Sequence, residues 1–334
     1  MSITRVRRVL VTGGAGFIGS HLVELLLAQG DDIVIVDDLS TGRRENVPQH
    51  ARVRFVHNTV SKALAGELAR EKFDEIYHLA ASVGVKLVVD NPTACIENNI
   101  HETGELVRFA LTANFDSKPT RTLIASSSEV YGKSDKSPFR EDDDVVYGPT
   151  TVFRWTYAMS KALDESIGLS AHKTHGLPVV ITRFFNTVGP RQVGDYGMVL
   201  PRFVTAALKG EDLTVYGDGS QTRCFCDVRD VTAALPKLLA CSQAIGSVFN
   251  VGSDRSISIR ELADLVIKVT SSTSRVRAIP YADAFASGFE DLRQRKPDLT
   301  RIQRVIGFSP TIPLERTIED VARSLKSAGG RPTP

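Results

Sequence analysis

The sequence predicts an α/β protein built on a doubly wound parallel sheet, followed by a smaller α/β lobe. In the first 185 residues, short runs rich in valine and isoleucine alternate with longer stretches of helical spacing, as in successive βαβ units. After about Val188, glycine, proline and aromatic residues become more frequent, which indicates a change of architecture. The 334 residues, 42% of them apolar, are enough for a large core.

The predicted strands of the first half are short and β-branched, as expected for strands that helices cover on both faces. They are Arg8 to Val11, Ile33 to Val36, Val53 to Val56, Glu75 to His78, Thr122 to Ala125 and Val179 to Phe184. Between them, leucine, alanine and valine recur at helical spacing, and Asn91 with Pro92 is a typical helix start. The predicted helices are Ile18 to Gln29, Pro92 to Thr112 and Trp155 to Thr174.

The second half is predicted to form most of the smaller lobe, with short, isolated strands at Leu213 to Tyr216 and Ser247 to Val251. Ser258 and Glu261 form a capping-box pattern, which predicts a helix start. A last helix is predicted over Pro313 to Leu325. The chain therefore divides into a sheet domain, a mainly smaller-lobe segment and a flexible tail, which are residues 1–187, 188–328 and 329–334.

Charge and composition exclude several classes of protein. Lys and Arg total 41 against 39 Asp and Glu, so the formal charge of +2 offers no field to a nucleic acid or an anionic membrane. Four scattered cysteines make no disulfide framework, and Cys224 and Cys226 have no further close Cys or His to complete a zinc site. Neither an export segment nor a bilayer-spanning apolar run is recognised. The sequence predicts a cytoplasmic protein without a nucleic-acid, membrane or metal partner.

A glycine-rich loop directly follows the first predicted strand. Gly13 allows a tight turn, Gly16 a close backbone approach to a pyrophosphate, and Gly19 close packing of the helix on the sheet. The helix that opens at Phe17 and Ile18 presents free N–H groups and a positive dipole end to the anion. This order of strand, glycines and helix predicts a Rossmann-type dinucleotide-binding domain over residues 1–187.

An acidic residue after the second predicted strand indicates which dinucleotide binds. Asp37 lies 18 residues after Gly19, where a carboxylate accepts hydrogen bonds from the adenosine ribose. A carboxylate at this place repels a 2′-phosphate, so NAD is predicted as the cofactor. Arg43 and Arg44 follow closely and leave NADP as the weaker alternative.

A second group of residues predicts proton transfer at a hydroxyl group. Tyr157 and Lys161 are four residues apart in a helical pattern, so they share one helix face about one turn apart. The ammonium, together with an oxidised nicotinamide ring, would lower the pKa of the tyrosine from its usual value of about 10 and make it a base. Ser126 to Gly132 follow the fifth predicted strand, at the sheet edge where ligands of such folds bind. A serine hydroxyl there can hydrogen-bond the reacting oxygen.

The order of motifs resembles one known family, the extended short-chain dehydrogenases that remodel nucleotide sugars, which comprise epimerases, 4,6-dehydratases and decarboxylases. The matching segments span almost the whole chain. They are Thr12 to Gly19, Asp37 to Gly42, His78 to Ala81, Asn99 to Thr103, Ser126 to Gly132, Tyr157 to Lys161, Arg183 to Arg191, Tyr216 to Arg223 and Arg295 to Asp298.

The resemblance implies a role for each matching residue. Tyr157 is the implied acid/base, Lys161 holds the ribose and lowers the pKa of the tyrosine, and Ser127 assists at the sugar hydroxyl. Further implied cofactor contacts are Asp38, Ser40, Thr41, Gly42, Leu79, Ala80, Ala81, Asn99 and Phe184. The implied substrate contacts are Asn186, Arg223 and Arg295 at the diphosphate, with Arg295 also reaching toward the sugar, Val199 and Leu200 at the base, and Ser82, Val85, Lys86, Ser128 and Tyr216 elsewhere in the pocket.

The resemblance also implies the type of reaction. Members of this family oxidise the sugar at C4 to a 4-keto intermediate, which is then reduced from the other face, decarboxylated or dehydrated. Dehydratases and uronate decarboxylases of the family have a glutamate at the place of Glu129, and burial would raise the pKa of that carboxyl for proton transfer. Ser128 stands where dehydratases normally have an acid, which weakens dehydration. Arg295 to Asp298 resembles decarboxylases, whereas Ala81 to Lys86 resembles epimerases.

The sequence therefore predicts an NAD-dependent enzyme that acts on a UDP-linked hexose or hexuronate, with 4-epimerisation as the first choice. Decarboxylation of UDP-glucuronate is the close alternative. Either reaction can accommodate a uronate, with Lys86, Arg154 or Arg295 as the partner of the sugar carboxylate. Dehydration is less favoured, and a dinucleotide-binding sensor is the non-enzyme alternative, which the intact catalytic residues argue against. Relatives pair through two helices, so the resemblance implies a homodimer through Pro92 to Thr112 and Trp155 to Thr174.

Overall fold

The first half of the chain folds as alternating strands and helices. The computed structural model describes residues 5–82, 91–115, 119–194, 198–280 and 293–328. The strands are β1 (Arg8–Thr12), β2 (Asp32–Asp37), β3 (Val53–His57), β4 (Glu75–His78), β5 (Arg121–Ser127) and β6 (Val179–Phe184). The helices are α1 (Phe17–Ala28), α2 (Val60–Ala65), α3 (Pro92–Thr112) and α4 (Thr156–His175). Every predicted strand and helix of this half is confirmed within two residues, and α2 was not predicted.

The second half contains shorter strands and five helices within the described residues. The strands are β7 (Thr187–Val188), β8 (Leu213–Tyr216), β9 (Thr222–Cys224), β10 (Cys226–Asp227), β11 (Ser247–Val251), β12 (Ser256–Ser258) and β13 (Val276–Ile279). The helices are α5 (Val199–Lys209), α6 (Val228–Ala240), α7 (Ile259–Thr270), α8 (Thr300–Ile306) and α9 (Leu314–Ala328). The predicted capping box at α7 and the predicted last helix, α9, are confirmed. The predicted tail, residues 329–334, lies outside the described residues.

The main sheet has seven strands in the order β3, β2, β1, β4, β5, β6, β11, and every pair of neighbours is parallel. The chain runs outward from β1 to β2 and β3, then returns to the other side of β1 at β4. This reversal of strand order opens a crevice at the carboxyl ends of β1 and β4, which is where such sheets bind their ligands. The doubly wound fold is therefore confirmed.

One prediction about the second half is wrong. Ser247–Val251 is not an isolated strand of the smaller lobe, because it pairs with β6 from Val180 to Phe184 as the seventh strand of the main sheet. A short β-branched run shows that a strand forms, whereas its partner is decided by packing far away along the chain. The helix α6 before it was not predicted either, although Asp227 caps it by accepting a hydrogen bond from the Arg229 N–H at 2.8 Å.

Helices cover both faces of the main sheet. The side chains of α1, α6 and α8 pack on one face, and those of α2, α3 and α4 pack on the other. A third apolar cluster joins α5, α7 and α9 with β8. Among the described helices, none is long and apolar enough to cross a membrane.

A buried ion pair fixes α4 against the sheet. Arg183 at the end of β6 makes two bonds to Glu165 of α4, from Nη2 to Oε2 at 2.7 Å and from Nε to Oε1 at 2.9 Å. The hydroxyl of Ser126 donates to the same carboxylate at 2.5 Å. Since a buried charge is tolerated only when it is paired and hydrogen-bonded, this contact sets the position of α4 relative to β5 and β6.

Candidate active site

A cavity of about 770 Å³ lies at the carboxyl ends of the main sheet, between the sheet and the second half of the chain. Strands β1 to β6 all contribute wall residues from the segments in which they end. The cofactor residues predicted from the sequence that line it are Gly13, Gly16, Phe17, Ile18, Gly19, Asp37, Asp38, Ser40, Thr41, Leu79, Ala80, Ala81, Asn99, Tyr157, Lys161 and Phe184. The structure thus brings these distant motifs to one place.

The glycine loop has the shape that a pyrophosphate requires. Gly13 has a φ of +70°, and a Cβ atom added there would lie 2.7 Å from the backbone nitrogen of Ala80. A Cβ at Gly19 would lie 2.1 Å from the carbonyl oxygen of Gly13, so the helix could not pack so close to the loop. The first turn of α1 faces the cavity at Phe17 and Ile18. These residues fit the dinucleotide predicted from the sequence. Because the glycines have no side chains, the backbone N–H groups of the loop and of the first turn of α1 can lie close to a pyrophosphate.

The Asp37 carboxylate is held in place at the end of β2. It accepts hydrogen bonds from the N–H groups of Ala15 and Leu39, each at 2.9 Å. Burial raises the pKa of Asp37, and these two N–H bonds oppose that rise. Each oxygen keeps a second lone pair, so the carboxylate can also accept bonds from the ribose hydroxyls of NAD.

Gly42, which the sequence analysis also assigned to the cofactor, is not among the residues that line the cavity. It packs against Asp37 instead, and a Cβ atom at this position would lie 2.6 Å from Asp37 Oδ1. Its small size therefore leaves room for the carboxylate of Asp37.

Tyr157, Lys161 and Ser127 all line the cavity. Burial is the main cause that raises the pKa of Tyr157 above its usual range, and the negative charge of Glu129 adds to it. A side-chain hydrogen bond from Ser127 acts in the opposite direction. Because the Ser127 oxygen accepts the Glu129 N–H at 3.2 Å, its own hydrogen can be donated to the tyrosine. Lys161 is buried as well, and its ammonium pairs with Asp164, a residue that the sequence analysis did not single out.

Glu129 does not have the raised pKa that the sequence analysis predicted. Burial alone would raise it, but Arg295 and Arg154 outweigh burial and lower the pKa of Glu129 to about 2. The Arg295 Nη1 atom lies 2.6 Å from Oε1, and the Arg154 Nη2 atom lies 2.9 Å from Oε2. The prediction failed because neither arginine is close to Glu129 in the sequence. Only the fold shows that both guanidinium groups lie beside its carboxylate. The glutamate is therefore ionised at neutral pH.

The segment that carries Arg295 is fixed to the loop after β5. The N–H of Phe139 donates to the carbonyl oxygen of Lys296 at 2.8 Å, and the N–H of Asp298 donates to the carbonyl oxygen of Phe139 at 2.8 Å. These bonds form a short parallel bridge between Phe139 and Pro297. The guanidinium group of Arg295 is thus brought to the cavity from the second half of the chain.

The remaining predicted substrate residues line the other half of the cavity. They are Ser82, Ser128, Asn186, Val199, Leu200, Tyr216, Arg223 and Arg295, while Val85 and Lys86 lie outside the described residues. Arg202 was missed, although it also lines the cavity and follows Val199 by three residues in α5. Its guanidinium lies 4.7 Å from the ring centre of Tyr216 and donates to the Tyr216 hydroxyl at 3.0 Å. This contact holds the Tyr216 ring in one orientation at the cavity wall.

Within the described residues, no group of three or more His, Cys, Asp or Glu side chains is arranged to hold a metal ion.

Replacing Gly13 by alanine is expected to abolish NAD binding and to lower the free energy of unfolding. The matched control is Gly176→Ala at the end of α4, because Gly176 has a φ of +69° but no atom within 4 Å of an added Cβ. Both variants carry the strain of a left-handed alanine, roughly 1–2 kcal/mol, but only Gly13→Ala adds a collision with backbone. Denaturant unfolding and calorimetric NAD titration measure both effects. If both variants lose the same stability and Gly13→Ala still binds NAD, the glycine loop does not bind the cofactor in the way described above.

Comparisons with known proteins agree with this geometry. A model of the NAD dependent epimerase/dehydratase family matches residues 9–252. UDP-N-acetyl-alpha-D-glucosaminuronate decarboxylase of Bacillus cytotoxicus is 39% identical over 319 residues, which are 94% of this chain and 96% of the relative. UDP-glucuronic acid decarboxylase 4 of Arabidopsis thaliana is 35% identical over 315 residues, which are 93% of this chain and 67% of the relative.

Solved structures show the same fold over nearly the whole chain. UDP-N-acetylglucosamine 4-epimerase from Methanobrevibacter ruminantium, in complex with UDP-N-acetylmuramic acid, is 29% identical with a TM-score of 0.86, covering 97% of this chain and 100% of that one. A dTDP-glucose 4,6-dehydratase from Streptomyces venezuelae with NAD bound is 30% identical with a TM-score of 0.83, covering 97% of this chain and 98% of that one. Because the family model covers most of the chain and the relatives match it almost from end to end, the chain belongs to the NAD dependent epimerase/dehydratase family and is an NAD-dependent enzyme that modifies a sugar nucleotide.

Proposed function

We propose that this enzyme decarboxylates a UDP-linked hexuronate through a 4-keto intermediate. The two relatives described above are both named as decarboxylases of UDP-linked uronates, which reverses the preference for 4-epimerisation drawn from the sequence. The observation that carries the proposal is the cluster of Arg154, Glu129 and Arg295 beside Tyr157 in the cavity wall.

The proposed reaction begins at the sugar C4 hydroxyl. Tyr157 accepts the hydroxyl proton and returns it to the C4 oxygen when the ketone is finally reduced. NAD, which the glycine loop and Asp37 would hold, would supply the acceptor and later the donor of the C4 hydride. The resulting C4 ketone is β to the carboxylate, so the C5–C6 bond can break. The electron pair of that bond moves toward the C4 oxygen as an enolate, CO2 leaves, and C5 then takes up a proton from water. The hydroxyl groups of Ser127 and Tyr157 stabilise the enolate oxygen by hydrogen bonding.

The charge of the arginine–glutamate cluster suits a uronate. Two guanidinium groups against one carboxylate leave one positive charge in a largely buried wall. Low solvent exposure strengthens the attraction of that charge for an incoming carboxylate. A neutral hexose offers no partner for it, so the cluster favours a substrate with an acid at C6. Planar guanidinium groups of this kind bind carboxylates in a fixed orientation.

The same cluster disfavours dehydration. Loss of water needs a group that gives a proton to the leaving hydroxyl, and a carboxyl whose pKa is lowered to about 2 carries no proton at neutral pH. Ser128, which lines the cavity next to Glu129, provides no acid in its place. Decarboxylation needs no such donor before the C5–C6 bond breaks, because the electron pair is delocalised onto the ketone.

The proposal is tested by incubating the enzyme separately with UDP-glucuronate, UDP-N-acetylglucosaminuronate and UDP-glucose. The expected result is labelled CO2 from a C6-labelled uronate, with a product lighter by one CO2 and no turnover of UDP-glucose. A product of unchanged mass containing a new sugar would instead show 4-epimerisation, and loss of water would show dehydration. No turnover of any of the three with NAD bound would favour the sensor.

We also propose that the enzyme is a homodimer through α3 and α4. Ile96 on α3, Phe153 just before α4 and Leu163 on α4 leave 39%, 54% and 48% of their surface exposed. Exposed apolar side chains on two packed helices favour burial against a second copy, which gives a symmetric interface. Light scattering would give the mass of a monomer if this is wrong.

The four cysteines, all free, suit a reducing compartment such as the cytoplasm.

A further inference from the structure

A second carboxylate lies beside the catalytic pair, and the proposed reaction does not use it. Asp164 follows Lys161 by three residues on α4, and the Lys161 Nζ atom lies 3.0 Å from Asp164 Oδ2. The side chains are 3% and 0% exposed, so water does not screen either charge. Burial raises the pKa of Asp164, and the ion pair with Lys161 opposes that rise.

We propose that Asp164 is a positioning residue of the active site, which holds the Lys161 ammonium and offsets its charge, so that Asp164 sets the pH at which Tyr157 loses its proton. The inference rests on the proposed role of Tyr157 as the acid/base. An ammonium has three N–H donors, and the pair with Asp164 occupies one of them. Two donors remain for the ribose that the family resemblance assigns to Lys161.

Elementary electrostatics leads to this role. An unpaired ammonium one helical turn from a phenol would favour the phenolate and lower the pKa of the tyrosine. A carboxylate 3.0 Å from that ammonium makes the pair nearly neutral when seen from Tyr157. Among the influences on Tyr157, burial comes first in raising its pKa, and the charges of Glu129 and Asp164 act in the same direction. The tyrosine therefore holds its proton more strongly than a free phenol does.

The other titratable groups around Tyr157 do not take over this role. Glu129, which follows β5, is already balanced by two arginines. His78 at the end of β4 has its pKa lowered to about 3 by burial and then by Lys161, so it is neutral at working pH. Cys95 on α3 has its pKa raised by burial and stays a thiol. Glu165, next to Asp164 on α4, is paired with Arg183. Removing the Asp164 charge is thus the change that leaves Lys161 unpaired near the phenol.

The test is the Asp164→Asn variant, which keeps the shape and one oxygen for Lys161 but removes the charge. The ultraviolet absorbance of tyrosinate is titrated with pH in the NAD-bound enzyme, and the curve of the same protein carrying Tyr157→Phe is subtracted to isolate Tyr157. We expect the midpoint to move to lower pH by about one unit, a tenfold change in the protonation equilibrium. The acid limb of the kcat/KM profile with the turned-over uronate should move by the same amount.

Control variants separate this role from a structural one. Glu165→Gln removes another buried carboxylate, from the next position of α4, and it should lower stability without moving the Tyr157 midpoint. Asp164→Ala gives the same expected shift as Asp164→Asn and decides the question if the amide variant does not fold. A Tyr157 midpoint that stays in place or moves to higher pH overturns the proposal. Since the spectral titration needs no substrate, its result does not depend on whether the enzyme catalyses the proposed decarboxylation.

Discussion

Tyr157→Phe is expected to abolish turnover of the sugar nucleotide while NAD binding stays intact. The phenylalanine ring fills the same space in the wall, so the cavity and the glycine loop keep their shape. What is lost is the oxygen that takes the C4 hydroxyl proton, and with it the hydrogen bond to the enolate. A positioned acid/base contributes about 10²- to 10⁴-fold to a rate, and kcat/KM should fall by at least that factor. Steady-state kinetics and calorimetric NAD titration measure the two properties separately.

Tyr147→Phe is the matched control for this variant. Tyr147 is another half-buried tyrosine near α4, and its hydroxyl donates to the carbonyl oxygen of Ala158 at 3.4 Å, outside the cavity wall. Its loss should leave kcat/KM within about twofold, because a single neutral hydrogen bond contributes only about 1 kcal/mol. If Tyr157→Phe also stays within twofold of the parent enzyme, Tyr157 is not the acid/base and the assignment of the catalytic pair is wrong.

The sheet domain could be predicted in detail because its signals are local. The strands from β1 to β6 are short apolar runs, each predicted helix has its own apolar spacing, and Asn91 with Pro92 marks the start of α3. The place of β11 could not be predicted in this way. Its sequence indicates a strand, but the choice of β6 as partner depends on a chain connection of more than sixty residues, about which no local pattern informs.

The same difference between local signals and contacts from distant parts of the chain applies to the cavity. Motifs whose spacing alone defines a shape, such as Gly13 to Gly19 and Tyr157 with Lys161, line the wall as expected. Properties that depend on neighbours from other elements were missed or wrong. The pKa of Glu129 required knowing that Arg154 and Arg295 meet there from opposite parts of the chain. Asp164 had a sequence signal, three residues after a catalytic lysine on one helix, but only its burial gives that signal weight.

Arg295→Met is expected to weaken binding of a UDP-linked uronate by about 10- to 100-fold, while a neutral UDP-hexose loses little affinity. The methionine keeps much of the apolar stem but removes the guanidinium that lies 2.6 Å from Glu129. Glu129 and Arg154 then form a neutral pair, and the spare positive charge that attracts the substrate carboxylate is gone. Truncating one partner of a buried charge pair typically costs about 2–5 kcal/mol in binding, so the factor given is a conservative expectation.

The change also alters Glu129 itself, which gives a second readout. With one arginine instead of two, burial has more weight and the pKa of Glu129 rises from about 2. Uronate affinity in the variant should therefore depend on pH in the acid range, where the parent enzyme shows no such dependence from this group. The matched control is Arg293→Met, two residues earlier and exposed, which removes the same charge outside the cavity wall. Calorimetry measures the affinity of each variant for the UDP-linked uronate and for the neutral UDP-hexose. If Arg295→Met loses the same affinity for both, Arg295 binds the diphosphate and not the sugar carboxylate. The argument from charge for a uronate substrate would then be wrong.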